Sequence, residues 1–150
     1  MHVAEQLKMK GRLHIVVRDA LGNLKDEREI DNLVVTTGRD HIAARLKTTG
    51  IPNEMSHMAV GTGATAAALG DTTLQTEAAR VALATAGGTV AANVVTYAAT
   101  FPAGTGTGAL TEAGILNAAS VGTLLCRTVF SVINKGASDS MTITWTVTIS

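Results

Sequence analysis

The residues of this chain that could do chemistry are four histidines, one cysteine, a few carboxylates and a short Gly-Thr-Gly turn. A structural zinc site takes Cys and His ligands in closely spaced pairs. His2, His14, His41 and His57 form no such pair, and none lies near Cys126 in sequence. His41 follows Asp40 on a predicted helix, where neighbours one apart face different ways. Ser56 directly precedes His57, but in a strand the two side chains point to opposite faces, so a hydroxyl nucleophile and its base would diverge. Gly61-Thr62-Gly63 opens like a phosphate loop yet lacks the Gly-Lys-Ser/Thr that grips phosphate, and position 66 is Ala where a dinucleotide fingerprint needs Gly. It reads as a structural turn. Paired carboxylates would need Asp71 with Glu77, or Glu112 with Asp139, and nothing local brings either pair together. Glu77 with Arg80 reads as a structural ion pair at a loop-to-strand junction. The residues therefore predict no catalytic site, no metal, no cofactor and no enzyme.

The basic residues near the N-terminus are the remaining candidates. Lys8, Lys10 and Arg12 share one face if they lie on one strand, and Arg18 follows. This row reads either as a solvated face or as a docking patch for an acidic partner. Nucleic acid is not expected as that partner. The formal net charge is +0, so no global basic field exists. Aromatic residues make up 3%, which is thin for a stacking platform on bases or sugar rings. No apolar run approaches the roughly 20 residues of a spanning helix, so no membrane is expected. The N-terminus has no apolar core of a signal peptide. Cys126, in Leu124-Leu125-Cys126-Arg127, reads as a small buried hydrophobe, and a single cysteine allows no intrachain disulfide.

The elements that must position these residues read as β. The last seventy residues carry only Glu112, Arg127, Lys135 and Asp139 as charges, which suggests a sheet built without ionic chemistry. They end in Met141-Thr142-Ile143-Thr144-Trp145-Thr146-Val147-Thr148-Ile149, with Trp145 on the apolar face and four threonines on the other. Leu7 to Val35 predicts a hairpin that turns at Asp19 to Asn23. Its heavily charged return, Leu24 to Ile30, fits a protected edge strand. One helix is predicted from Gly38 to Lys47, capped by Thr36 or Thr37, with Asp40 in its first turn and Ile42, Ala43 and Leu46 on its buried face. Further strands are predicted at Ser56 to Val60, Arg80 to Ala86, Val90 to Phe101, Thr111 to Leu116, Thr123 to Ile133 and Met141 to Ile149. One domain over 1–150 is expected, with residues 1–32 as arm and hairpin and 33–150 as core. The predicted fold is an antiparallel β-sandwich, jelly-roll-like, with one short helix and an N-terminal β-hairpin. A near-neutral chain with mean hydropathy +0.26 suits a protein that works in an assembly, here as a dimer or trimer.

From Leu33 onward the chain resembles small virion proteins of tailed bacteriophages. The matching residues are Asn32-Leu33-Val34-Val35-Thr36-Thr37-Gly38-Arg39-Asp40, then Ser56-His57-Met58-Ala59-Val60-Gly61-Thr62-Gly63, then Leu69-Gly70-Asp71-Thr72-Thr73-Leu74 with Glu77 and Arg80. Thr96-Tyr97-Ala98-Ala99-Thr100-Phe101, Thr111-Glu112-Ala113-Gly114-Ile115-Leu116 and the Thr-alternating last strand complete it. That order is similar to a β-sandwich module of head decoration (cement) proteins and of tail-associated appendages. The resemblance implies a virion protein, assembled in the bacterial cytoplasm. It implies the major capsid protein as partner, or alternatively a tail protein. In this setting Lys8, Lys10, Arg12 and Arg18 become the candidate capsid contact.

Overall fold

The computed structural model describes residues 5–150. His2 and the first four residues of the expected docking arm lie outside them. Among the described residues the chain forms nine strands and one helix. They are β1 (Met9–Arg18), β2 (Leu24–Val34), α1 (Thr36–Ala44), β3 (His57–Gly61), β4 (Glu77–Ala82), β5 (Thr89–Ala91), β6 (Val94–Phe101), β7 (Gly108–Leu116), β8 (Leu124–Lys135) and β9 (Ser140–Ile149). All pairings are antiparallel, in one sheet of order β4-β3-β7-β8-β2-β1-β9-β6-β5. The sheet curls into a half-barrel. Register shifts at Val17/Arg18, Val60/Gly61 and in β7 add local twist. Beyond β4 the chain reaches the opposite wing, where Ala84 N–H donates to the Ala98 carbonyl at 2.8 Å.

The inner faces of both wings meet in one core. Strict alternation sends Leu13, Ile15 and Val17 of β1 inward, with Ile143, Trp145 and Val147 of β9 and Tyr97, Ala99 and Phe101 of β6. Trp145 is fully buried, between Leu13 and Tyr97 on its neighbouring strands, as the apolar face predicts. The hairpin is thus part of the core. Its turn is held by Asp19, whose Oδ1 accepts the N–H groups of Leu21 and Asn23, both at 2.9 Å.

Four expectations need correction. The first is the helix, which starts at Thr36, not Gly38, and has no side-chain cap. Thr37 instead donates to the Leu124 carbonyl at 2.8 Å. No acid lies in the first turn, and Leu46 falls beyond the last one, exposed. What docks the helix is Gly38, where any Cβ would overlap the Leu125 carbonyl. The second is β2, which is not an edge strand: it lies between β8 and β1. Its ladder with β8 holds only Leu33↔Arg127 and Val34↔Cys126. Over its charged part Arg28 crosses the gap instead, donating to the carbonyls of Ser131 at 2.6 Å and Val132 at 2.9 Å. The third is the long strand from Val90 to Phe101. It breaks at Ala92-Asn93 into the β5–β6 hairpin, and Ala92 takes the left-handed φ of 51° that this turn requires. The fourth is the absence of ionic chemistry. Glu112, Arg127, Lys135 and Asp139 are all buried, because they are used inside the fold.

Candidate functional site

The outer faces of the two wings differ, and each holds part of the candidate surface. On the β6–β9–β1–β2 wing the outer face is bare. Thr142, Thr144, Thr146 and Thr148 of β9 run down its middle. Thr100 lies opposite Thr142 on β6, their hydroxyls 3.1 Å apart, and Thr96 lies opposite Thr146. On the other side β1 offers Lys10, Arg12 and His14, opposite Thr148, Thr146 and Thr144. The next strand answers with acids. Arg12 pairs with Glu29 at 2.6 Å and His14 with Glu27 at 2.7 Å, and the Arg12 and Glu29 side chains are 60% and 58% exposed.

The predicted basic row is therefore real as a row but is striped beside an acidic one. Lys10 and Arg12 share the face and line one shallow groove with Asp31, Thr146 and Thr148. Arg18 sits apart at the hairpin end and donates to the Gly22 carbonyl at 3.1 Å. Lys8 precedes β1 and is laced to the chain end, with Lys8 N–H to the Ser150 carbonyl at 2.6 Å and the return bond at 2.8 Å. Among the described residues, no carboxylate lies within ion-pair range of Lys8 or Lys10.

On the β3–β7–β8 wing the outer face is covered by the 62–76 loop. A loop of this length without regular structure is usually functional or disordered. This one is tied down chiefly by a buried carboxylate. Glu112 Oε1 accepts from Gly63 N at 3.0 Å and Thr76 N at 2.7 Å; Oε2 accepts from Gln75 N at 2.9 Å and Arg127 Nε at 2.9 Å. Arg127 then reaches Asp71 Oδ2 at 2.8 Å and the Thr65 carbonyl at 3.0 Å. Gly61 and Gly63 are required here, because a Cβ on either would stand 2.6 Å from the Glu112 oxygen. The Gly-Thr-Gly turn does cradle an anion, and the anion is internal. Leu74 packs beneath the strap with Val35, Ala59, Leu116 and Leu124 as a second, smaller core. The tip above carries exposed Ala64, Thr65, Ala66, Ala68 and Leu69.

Burial pushes the Glu112 pKa up, but the N–H donors of Thr76, Gln75 and Gly63 and the Arg127 guanidinium more than reverse this, leaving it below the ordinary glutamate range. Lys135, buried and donating to the Pro102 carbonyl at 3.0 Å, has its pKa lowered by desolvation, against the opposing charge of Asp139. Asp139 is held low by its bond from Lys25 Nζ and by the Gly136 N–H.

The Glu112–Arg127 clamp was missed by sequence reasoning. Its signal was present: two opposite charges in neighbouring predicted strands that are otherwise uncharged. The predicted Glu77–Arg80 ion pair is present and two-pronged, both contacts at 2.7 Å, and Arg80 also donates to the carbonyls of Ala118 and Val121. Ser56 and His57 do not diverge: Ser56 Oγ lies 2.8 Å from His57 Nδ1, because Ser56 precedes β3 and escapes its alternation. Cys126 is fully buried, and desolvation raises its thiol pKa well above the usual range. Among the described residues no group of three or more His, Cys, Asp or Glu side chains is placed to hold a metal ion, and no helix is long and apolar enough to cross a membrane.

No protein-family model, no curated protein and no solved structure matches this chain.

Proposed function

We propose that this chain is a structural virion protein of a tailed phage, binding the outside of the capsid as a decoration or cement protein. In this reading the half-barrel is an open form of a jelly-roll-like β-sandwich, its two wings standing for the two leaves. The observation that carries the proposal is the uncharged strap tip at 64–69, held by a clamp whose charges are spent internally. A surface already ordered before contact loses little conformational entropy on docking. The mechanism is area. Each copy gains burial at roughly 25 cal/mol/Å² before association costs, and a lattice of neighbouring sites multiplies it. Self-association as a dimer or trimer adds to that avidity. Lys8 and Lys10, without acidic partners among the described residues, are charges free to steer and register the capsid protein.

The test is co-sedimentation of the purified protein with isolated capsids and, separately, with isolated tails. Capsid binding is expected, weakened by Lys8→Glu with Lys10→Glu, both exposed positions that leave the fold intact. Binding to tails alone would replace this reading with the tail or fibre-base appendage. Binding to neither would sink both.

A further inference from the structure

One cleft is used by neither face. At an end of the half-barrel, a space of about 310 Å³ opens between α1, the 86–88 turn and the ends of β6 and β9. That is near the lower end of ligand pockets, roughly 300–1,000 Å³. Its apolar lining includes Ile42, Met55, Val95 and Val147. Four polar side chains converge on it: His41, Arg45, Glu54 and Tyr97.

Two of these are unfinished as parts of a fold. His41 is only 8% exposed, and its buried Nδ1 has no hydrogen-bond partner. Such a group usually has one. Arg45 spends Nη1 on the Pro52 carbonyl at 2.7 Å, yet has no carboxylate partner among the described residues. Arg12, Arg28, Arg80 and Arg127 have one; Arg18 and Arg39 lack one as well, but of these three Arg45 is the one that lines the cleft. The charge that acts on both His41 and Tyr97 is that of Arg45. Burial first, then the Arg45 charge, lowers the His41 pKa. Burial pushes Tyr97 up to about 12, and Arg45 is the charge that opposes it. Glu54 also lines the space, with its carboxylate against the Gly87 turn.

We propose that this cleft binds a small carboxylate with an apolar tail, the tail among Ile42, Met55, Val95 and Val147 and the carboxylate on Arg45 beside His41. Barrel mouths and partly closed sheets hold single small ligands in this way. The ligand supplies the acid that Arg45 lacks. It also offsets the positive charge that disfavours protonated His41, so His41 titrates at higher pH when the site is filled. The proposal is independent of the capsid role.

The experiment is a titration of the full chain followed by amide and imidazole NMR, with octanoate as the probe. Octanol (tail alone), acetate (head alone) and octylamine (opposite charge) serve as comparisons. Expected are saturable octanoate shifts confined to α1, the 86–88 turn and the Tyr97 strand, and a raised His41 titration midpoint. Arg45→Gln, at an exposed position, should weaken octanoate by about tenfold, the size of one charge-assisted contact, and leave octanol unchanged. Glu54→Gln should leave octanoate binding intact or tighten it. Octanoate shifts that do not saturate, or saturate equally in Arg45→Gln, overturn the proposal. So does octylamine binding more tightly than octanoate.

Discussion

The hairpin wing and the strapped wing spend charge in opposite ways. On β1 and β2 the charges are many and mostly exposed, with pairs across the strands such as Arg12–Glu29. On β7 and β8 two charges suffice, Glu112 at 0% and Arg127 at 2% exposure, and they fix a loop with no regular structure of its own. The difference teaches that charge density in a sequence says little about where electrostatics matters. An exposed pair works in water and gains little. A buried pair must be satisfied completely or not formed, and Glu112 is satisfied by four donors.

The strongest way to break this comparison is to remove the clamp. Glu112→Ala leaves the Arg127 Nε–H and three backbone N–H groups without their acceptor. A loss of about 3–5 kcal/mol is expected in urea unfolding, as for other buried pairs that lose one partner. Hydrogen exchange should show Gly63, Gln75 and Thr76 losing protection first. A loss under about 1 kcal/mol would place the clamp with the surface pairs.

Acid should test the strapped wing next. Because the folded Glu112 pKa lies below the ordinary 4.5, its contribution is fully present above that value. It is lost as pH falls below about 4.5 and through the folded pKa, where the unfolded chain binds the proton more readily. His41, lowered from 6.5 by burial and Arg45, adds a loss of the same sign that begins higher, as pH falls below about 6.5. Stability measured from pH 7 down to pH 3 should therefore fall in two stages, and Glu112→Gln should flatten the lower one. An unchanged lower stage in that variant would assign the acid transition elsewhere.

The smallest expected effect lies on the bare face. A double-mutant cycle on Arg12→Ala and Glu29→Ala should give a coupling of at most about 1 kcal/mol, shrinking with added salt. A larger, salt-insensitive coupling would mean that this face is less open to water than its exposure indicates.

Much of the scaffold was legible because its cause is local. The alternation of Met141 to Ile149 assigns Trp145 to the core, since a strand has period two in any sheet. The Asp19 to Asn23 turn is written in residues that bond their own backbone. The helix was placed but misjudged in detail, because what holds it is the Leu125 carbonyl pressed against Gly38, a residue some ninety positions away. The basic row of Lys10 and Arg12 was legible, and its acidic counterpart became visible only with the register of β2 against β1.

By itself, then, the sequence determined most of the strands, the two faces of the last one and the Asp19 to Asn23 turn, because these depend on neighbours within a few residues. The tertiary structure alone decided that the four charges of the last seventy residues are buried. Glu112 meets Arg127 through the β7–β8 register, and meets Gly63, Gln75 and Thr76 because the 62–76 loop folds back over β7. A carboxylate is tolerable at that depth only when all these donors arrive together, and their arrival is a property of the curled sheet and the loop folded over it.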